Sequence, residues 1–259
     1  MTQKVRYDID GAVATITIAR PEVRNAMDLD VFNALEELGA RAGADADIRA
    51  VVVTGDGETF SSGIDTTIFT AGPSGDPSGI DIGRLQRAFS IFEDIPKPTI
   101  AAVSGPCFGA GIQLAIACDF RVAAVDALFS VLETRWGIMP DLGGTQRLPR
   151  LIGLGRAKDM AFTARRVDAA EALAWGLANR VVPNGEHLKQ ATEWAQELAV
   201  GPPLAFAAIK RLANQAFDVP IATGLEREAA AQRRILASDD FIEAVTARIE
   251  KREPTYRAR

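Results

Sequence analysis

Ser104-Gly105-Pro106-Cys107-Phe108-Gly109-Ala110-Gly111-Ile112-Gln113-Leu114-Ala115-Ile116-Ala117-Cys118-Asp119 follows directly on a β-branched run, Thr99-Ile100-Ala101-Ala102-Val103. The run reads as a buried strand, and Ile112 to Cys118 has helical character. Two small-residue hinges, Gly105-Pro106 and Gly109-Ala110-Gly111, bracket the turn between them. Glycine there lets the backbone take positive φ and lets another group approach closely. A helix beginning at such a turn points free N–H groups outward, and its dipole favours negative charge. The stretch is therefore either a place to hold an oxyanion or a tight strand-to-helix turn that only packs.

Working outward, strand and helix signals alternate. Lys4 to Ile9 and Ala12 to Ile18 are alternating β runs joined at Asp10-Gly11, a hairpin turn. Asp28 can cap a helix to about Ala42 with Leu29, Phe32, Leu35 and Leu38 along one side. Ile48 to Thr54 reads as a short buried strand, and it leads into a second glycine loop, Gly55 to Asp65. Thr70 to Gly79, rich in Gly, Pro, Ser and Asp, reads as a mobile surface loop, and Asp81 to Asp94 has helical spacing ended by Pro96-Lys97-Pro98. Phe120 to Ala124 and Ala127 to Val131 look like further strands, before a stretch, Leu132 to Leu151, dense in polar residues among apolar ones. From about Gly201 the strand signal stops and amphipathic helical segments continue to Glu250. The expected organisation is an α/β layered core over residues 1–200 and a helical region over 201–259.

Composition narrows the chemistry. Of 259 residues 47% are hydrophobic and 24% charged, with a net charge of −5 and mixed signs throughout. That pattern gives no footprint for nucleic acid. No apolar run reaches the roughly 18 residues of a membrane span, and Met1 to Asp8 has no signal-peptide core, so a cytoplasmic location is expected. Cys107 and Cys118 read as reduced core residues, without metal-ligand spacing. The one histidine, His187, stands in Pro183-Asn184-Gly185-Glu186-His187 and reads as a solvated helix start. A Ser-His-Asp or Cys-His mechanism and a histidine zinc site are disfavoured, which leaves proton chemistry to carboxylates, backbone amides or lysine.

Gly109-Ala110-Gly111-Ile112-Gln113-Leu114 matches G-x-G but has Leu114 where a dinucleotide fingerprint needs its third glycine, and no P-loop pattern is present. What is informative is the pair of glycine loops, Phe60 to Asp65 and Gly105 to Gly111, each after a strand. Two such loops can set two backbone N–H donors around one oxygen. The order and spacing of Arg20 to Ala26, Thr59 to Asp65, Ser104 to Gly111, Ala117-Cys118-Asp119 and Gly137-Ile138-Met139-Pro140-Asp141-Leu142-Gly143-Gly144-Thr145-Gln146-Arg147-Leu148 resemble the crotonase superfamily, also called the enoyl-CoA hydratase/isomerase family. The resemblance extends to the C-terminal Glu250-Lys251-Arg252-Glu253-Pro254.

The resemblance implies a crotonase (ClpP-like) spiral of ββα units followed by a helical trimerisation region, in a homotrimer or dimer of trimers. It also implies an acyl-CoA substrate, without a further cofactor or metal, whose thioester oxygen is held by two backbone amides. By match to the family, those amides fall on Ser62 and Ala110, and Arg24 meets the phosphates of CoA. Of the two glutamates used by family hydratases, one matches Glu133 and the other falls on Gln113. An amide can orient a water or a substrate but cannot carry a proton near neutral pH. Asp141, eight residues after Glu133, matches an acid of the dienoyl-CoA isomerase branch. Double-bond isomerisation with Glu133 and Asp141 is thus the leading expectation. Enoyl-CoA hydration with Gln113 orienting the water, and acyl-CoA binding without turnover, are the alternatives. Trp136, three residues after Glu133, is expected to share its side of a helix and raise its pKa. Asp65 and Asp119 read as structural, bonding loop amides.

Overall fold

The computed structural model describes residues 4–69 and 79–258, so the loop expected over Thr70 to Gly79 lies, but for Gly79, outside the described residues. Strands β1 (Val5–Asp10) and β2 (Val13–Ile18) form an antiparallel hairpin whose last pair is Asp10 with Val13. The turn therefore sits on Gly11-Ala12, with φ +56° at Gly11, one residue beyond the expected position. Asp28 caps α1 (Leu29–Ala44) by accepting from Val31 N at 3.1 Å. Phe32, Leu35 and Leu38 are buried, but Leu29 is exposed. It lies about 120° round the helix from Leu35, outside the apolar stripe.

The chain continues through β3 (Ala50–Gly55), α2 (Ile82–Asp94), β4 (Thr99–Val103), β5 (Pro106–Phe108), α3 (Ala110–Ala115), β6 (Phe120–Ala124) and β7 (Leu128–Ser130). A 3₁₀ turn at Glu133–Trp136 precedes α4 (Gly144–Ile152), α5 (Leu154–Thr163), β8 (Val167–Asp168), α6 (Ala169–Trp175) and β9 (Arg180–Val182). Helices α7 (His187–Ala199), α8 (Pro203–Asn214), α9 (Ile221–Leu236) and α10 (Asp239–Glu250) complete the chain. The expected helix over 112–118 thus starts at Ala110 and ends at Ala115, and the glycine turn before it contains a short strand that sequence spacing did not show.

One sheet runs β1-β2-β3-β4-β6-β9, parallel from β2 onward, and a smaller one runs β5-β7-β8. Parallel bridges between Met27 and Ile64 and between Ser61 and Cys107 extend the smaller layer. The chain therefore winds. Each circuit lays a long strand in the main sheet (β2, β3, β4, β6) and a short extended piece in the second layer (Met27, Ser61 to Ile64, β5, β7). The first three circuits each close through a helix, α1, α2 or α3. This is the expected spiral of ββα units. Its core closes between the sheets and the helices, where Phe32 and Phe89 stack at 5.4 Å between α1 and α2. On the other face of the main sheet α7 covers Val52, Ile100 and Val122 with Ala191 and Ala195. Buried parallel strands explain the continuous apolar runs of β3 and β4.

Among the described residues no strand follows Val182, and no helix is long and apolar enough to cross a membrane. Helix α8 is pinned to the core by Lys210, whose Nζ pairs with Asp119 at 2.8 Å and donates to Phe92 O and Lys97 O. Asp119 also accepts from Thr99 N and Oγ1, so its structural role is filled by the strand and by Lys210 rather than by its own glycine turn. Both cysteines are buried and free, and burial pushes the Cys118 thiol up to about 12.

His187 opens α7 as expected, but it is not solvated. It is 9% exposed and its Nδ1 has no partner among the described residues. Burial lowers its pKa, with the Asp126 charge opposing. The unfolded chain then binds a proton that the folded one refuses, so His187 withdraws stability as pH falls below its ordinary value of about 6.5. Between about pH 7.5 and 5.5 the melting temperature of His187→Gln should fall less than that of the parent chain. Parallel melting curves would count against this.

Candidate active site

The two glycine loops lie against one another because the second layer of the spiral forces them together. Phe60 N donates to Ser104 O at 2.8 Å, Ser61 N to Pro106 O at 3.0 Å, and Phe108 N to Ser61 O at 3.0 Å. At Gly111 an added Cβ would come 2.7 Å from Ser61 O. At Gly63, where φ is +109°, it would come 3.0 Å from Phe108 O and 3.5 Å from Ala110 N. Neither position admits a side chain without parting the loops. The Asn25 side chain donates to Asp56 O and Thr59 O, and Arg20 pairs with both Asp28 and Asp65. Asp65 also accepts from Thr67 N, the loop-amide role expected of it.

Most backbone N–H groups along the two loops are already engaged within the protein. Ser62 N donates to Arg24 O at 2.9 Å, Gly63 N to Ser61 Oγ at 3.1 Å and Asp65 N to Met27 O at 2.8 Å. Ile64 N has no hydrogen-bond partner among the described residues. On the facing loop Gly109 N donates to Ser130 O, while Ala110 N stands at the first position of α3, outside the helix ladder. The available pair is Ile64 and Ala110. Ser62, expected from the sequence, is already engaged. The reason is the parallel bridge: Met27 takes Gly63 O and Asp65 N, so the residue between them turns its N–H to the opposite side. Glycine spacing marks the loop but not the phase of this alternation. The signal that carries the phase is the pairing of Met27 with the loop.

Ile64 and Ala110 line a cleft of about 440 Å³ together with Glu133 and Asp141. Val23, Phe69, Leu132 and Ile138 give it apolar walls. Glu133, at the start of the 3₁₀ turn, is 7% exposed. Its Oε1 accepts from Gln113 Nε2 at 2.6 Å, and its Oε2 has no hydrogen-bond partner among the described residues. Burial raises the Glu133 pKa, the Asp141 charge pushes the same way, and the Gln113 contact opposes both. Asp141 is half-buried and burial raises its pKa too. The cleft therefore holds two carboxyls with a heightened hold on protons, as acid–base work requires.

Two expectations change. Trp136 lines the same cleft but is 66% exposed, so most of its ring faces away from protein and the desolvation of Glu133 comes largely from the packed interior. The Gln113 amide, expected to orient water, is bonded to protein at both ends: Oε1 accepts from Leu142 N and Gly144 N while Nε2 donates to Glu133. Arg24 is exposed in the left-handed conformation, φ 53°, next to Val23 at the cleft. Its guanidinium has no partner among the described residues.

A model of the enoyl-CoA hydratase/isomerase family matches residues 8–259. A carnitinyl-CoA dehydratase of Citrobacter koseri is 37% identical over 264 residues that cover the whole of both chains. An enoyl-CoA hydratase structure from Bacillus anthracis superposes with a TM-score of 0.91 at 33% identity, covering 99% of this chain and 100% of that one. A chain assigned as an enoyl-CoA hydratase from Thermobifida fusca, solved in complex with CoA, is 39% identical with a TM-score of 0.83 over 90% of this chain and 93% of that one.

Proposed function

The chain belongs to the enoyl-CoA hydratase/isomerase family and is an enzyme of that kind, and we propose that it moves a double bond within an enoyl- or dienoyl-CoA. The observation that carries this reading is the contrast inside the cleft. Glu133 is a buried carboxyl with one uncommitted oxygen, and its neighbour at 113 is an amide that cannot exchange protons. The N–H groups of Ile64 and Ala110 hold the thioester oxygen as it gains charge. Glu133 takes the proton from the carbon next to the carbonyl, and the enolate forms without water having to reorganise. Asp141 assists return of a proton further along the acyl chain. The substrate is the CoA thioester, and no other cofactor enters the scheme.

Hydration or dehydration is the second reading, favoured by the similarity to a carnitinyl-CoA dehydratase of C. koseri and an enoyl-CoA hydratase of B. anthracis. Incubation with 2-enoyl-, 3-enoyl- and 3,5-dienoyl-CoA separates the readings. Isomerisation leaves the mass unchanged and moves the ultraviolet chromophore. A product heavier by one water from 2-enoyl-CoA would replace our reading with the second, and no product at all would leave only a binding protein.

Arg24 contributes to the phosphates of CoA from the rim. Replacing it by Ala keeps the carbonyl that receives Ser62 N but removes one charge-assisted contact. The expected result is a rise in KM of about tenfold, equivalent to about 1.4 kcal/mol, with kcat little changed, the pattern of uniform binding loss. An unchanged KM would remove Arg24 from the site. The helices of 201–259 serve oligomerisation, as a homotrimer or a dimer of trimers. Ile209, Phe217, Ile221 and Ile249, all exposed apolar side chains, support that assignment, and the mass of the native particle tests it.

A further inference from the structure

Gln113 is 1% exposed and its side chain makes three hydrogen bonds, two to the turn leading into α4 and one to Glu133. Its Oε1 accepts from Leu142 N and Gly144 N, both at 2.9 Å, and its Nε2 donates to Glu133 Oε1 at 2.6 Å. The approach at residue 144 is close: an added Cβ there would stand 2.8 Å from Gln113 Oε1. Two converging N–H donors demand an acceptor, so the amide cannot be turned round, and its nitrogen must face Glu133. That nitrogen only donates. Glu133 Oε1 must therefore accept, and a protonated Glu133 carries its hydrogen on Oε2, the oxygen with no partner.

We propose that Gln113 is a positioning residue that reserves Oε2 as the one oxygen of the Glu133 carboxyl that exchanges a proton with the acyl chain, so that with a 3-enoyl-CoA this carboxyl carries one hydrogen from carbon to carbon, and Asp141 serves only the longer transfer in a dienoyl-CoA. The inference rests on the isomerase reading and deepens it. With a 3-enoyl-CoA, Oε2 takes the C2 proton, and the C–H electron pair passes into a dienolate whose charge sits on the thioester oxygen. Collapse of the dienolate re-forms the carbonyl and makes the C2–C3 double bond, and the former C3–C4 pair takes the proton from Oε2 at C4. Glu133 ends as it began, and no co-reactant is needed. Gln113 lies one helical turn beyond Ala110 on α3, so the group that orients the base is built on the same short helix as a donor to the enolate oxygen. That fixes their separation. A carboxylate at 113 would keep the two backbone contacts but put a second acid 2.6 Å from Glu133 Oε1, and two carboxyls that close share a proton that water can exchange.

The test follows deuterium at C2 of 3-enoyl-CoA through the parent enzyme, Gln113→Glu and Gln113→Met. In parallel the Glu133 carboxyl is titrated by selective carbon-13 NMR, assigned with Glu133→Gln. The parent should return most of the label at C4. Gln113→Glu should lose most of it to water. Gln113→Met should leave KM near the parent value and lower kcat about a hundredfold, the cost of a misplaced reacting group. Both variants should raise the Glu133 titration midpoint, one by like charge and the other by loss of a donor. If no variant isomerises any substrate but the midpoint moves as stated, the functional reading fails and the reservation of Oε2 stands. If substrate turns over and the parent loses as much label as Gln113→Glu, or neither variant moves the midpoint, Gln113 has no such role.

Discussion

Glu133→Gln should lower turnover by roughly 10²–10⁴-fold and at the same time raise the melting temperature at neutral pH. Both effects have one origin. The Glu133 carboxyl is buried, burial raises its pKa above the ordinary carboxylate range, and its Oε2 has no partner. A group whose folded pKa is raised contributes stability below its unfolded value, and that contribution is lost as pH rises through the folded value. Near pH 7 the ionised carboxylate therefore weakens the fold, because desolvation of its charge is only partly offset by Gln113. Glutamine is isosteric and uncharged, and its carbonyl oxygen can still accept from Gln113 Nε2. A gain of about 1 kcal/mol would move the melting temperature by about 2–4 °C in a chain of this size. The gain should shrink as pH falls toward about 4, where the parent carboxyl is itself neutral. Melting curves at both pH values and assays with 2-enoyl- and 3-enoyl-CoA check the two halves together. A variant that melts lower at pH 7 would show that Glu133 is structural, and one that keeps its activity would show that the acid–base group is elsewhere.

The trade between stability and activity at Glu133 also marks what the sequence could and could not carry. Apolar runs of one period and helical stripes of another were enough to lay out β1 to β4, β6, β7, α1 and α2, because buried parallel strands and amphipathic helices leave simple patterns. The glycine loops were legible for the same local reason: close backbone approach excludes a side chain at Gly63 and Gly111. Long-range pairing left no such mark. Whether Ser62 or Ile64 faces the cleft depends on the bridge to Met27, 37 residues from Ile64 in sequence. The chain around Asp28 and Met27 shows no periodicity that reveals it. The short strand β5 was hidden inside the glycine turn, since its partner β7 lies a full circuit later. His187 misled in the opposite direction: polar neighbours suggested a wet helix start, but its ring is buried near Asp126 at the start of α7. Gln113 was legible as a departure from a two-carboxylate pattern. Its engagement with Leu142 and Gly144 was not, because those N–H groups belong to a loop about thirty residues away.

Ala110→Pro should lower kcat/KM by about 10²–10³-fold and leave the melting temperature close to that of the parent. Most substitutions cannot delete a backbone donor, but this position can. Ala110 is the first residue of α3, where the ladder needs no N–H and where proline is well accommodated. The residue before it is Gly109, at φ 53° and ψ −120°, a conformation outside the helical region that a following proline disfavours. The substitution therefore removes one N–H from the cleft with little demand on the rest of the fold. If that N–H meets the thioester oxygen, its loss is felt when charge develops there, so kcat/KM and kcat should fall together, about 3–4 kcal/mol of transition-state stabilisation. A change confined to KM would mean that Ala110 binds the ground state without stabilising the enolate. Ser62→Ala makes the matching control, since it keeps a peptide N–H already given to Arg24 O and removes only a hydroxyl; it should leave kcat nearly unchanged. A large loss in Ser62→Ala with little in Ala110→Pro would reverse the assignment of donors and with it the geometry on which the enolate reading depends.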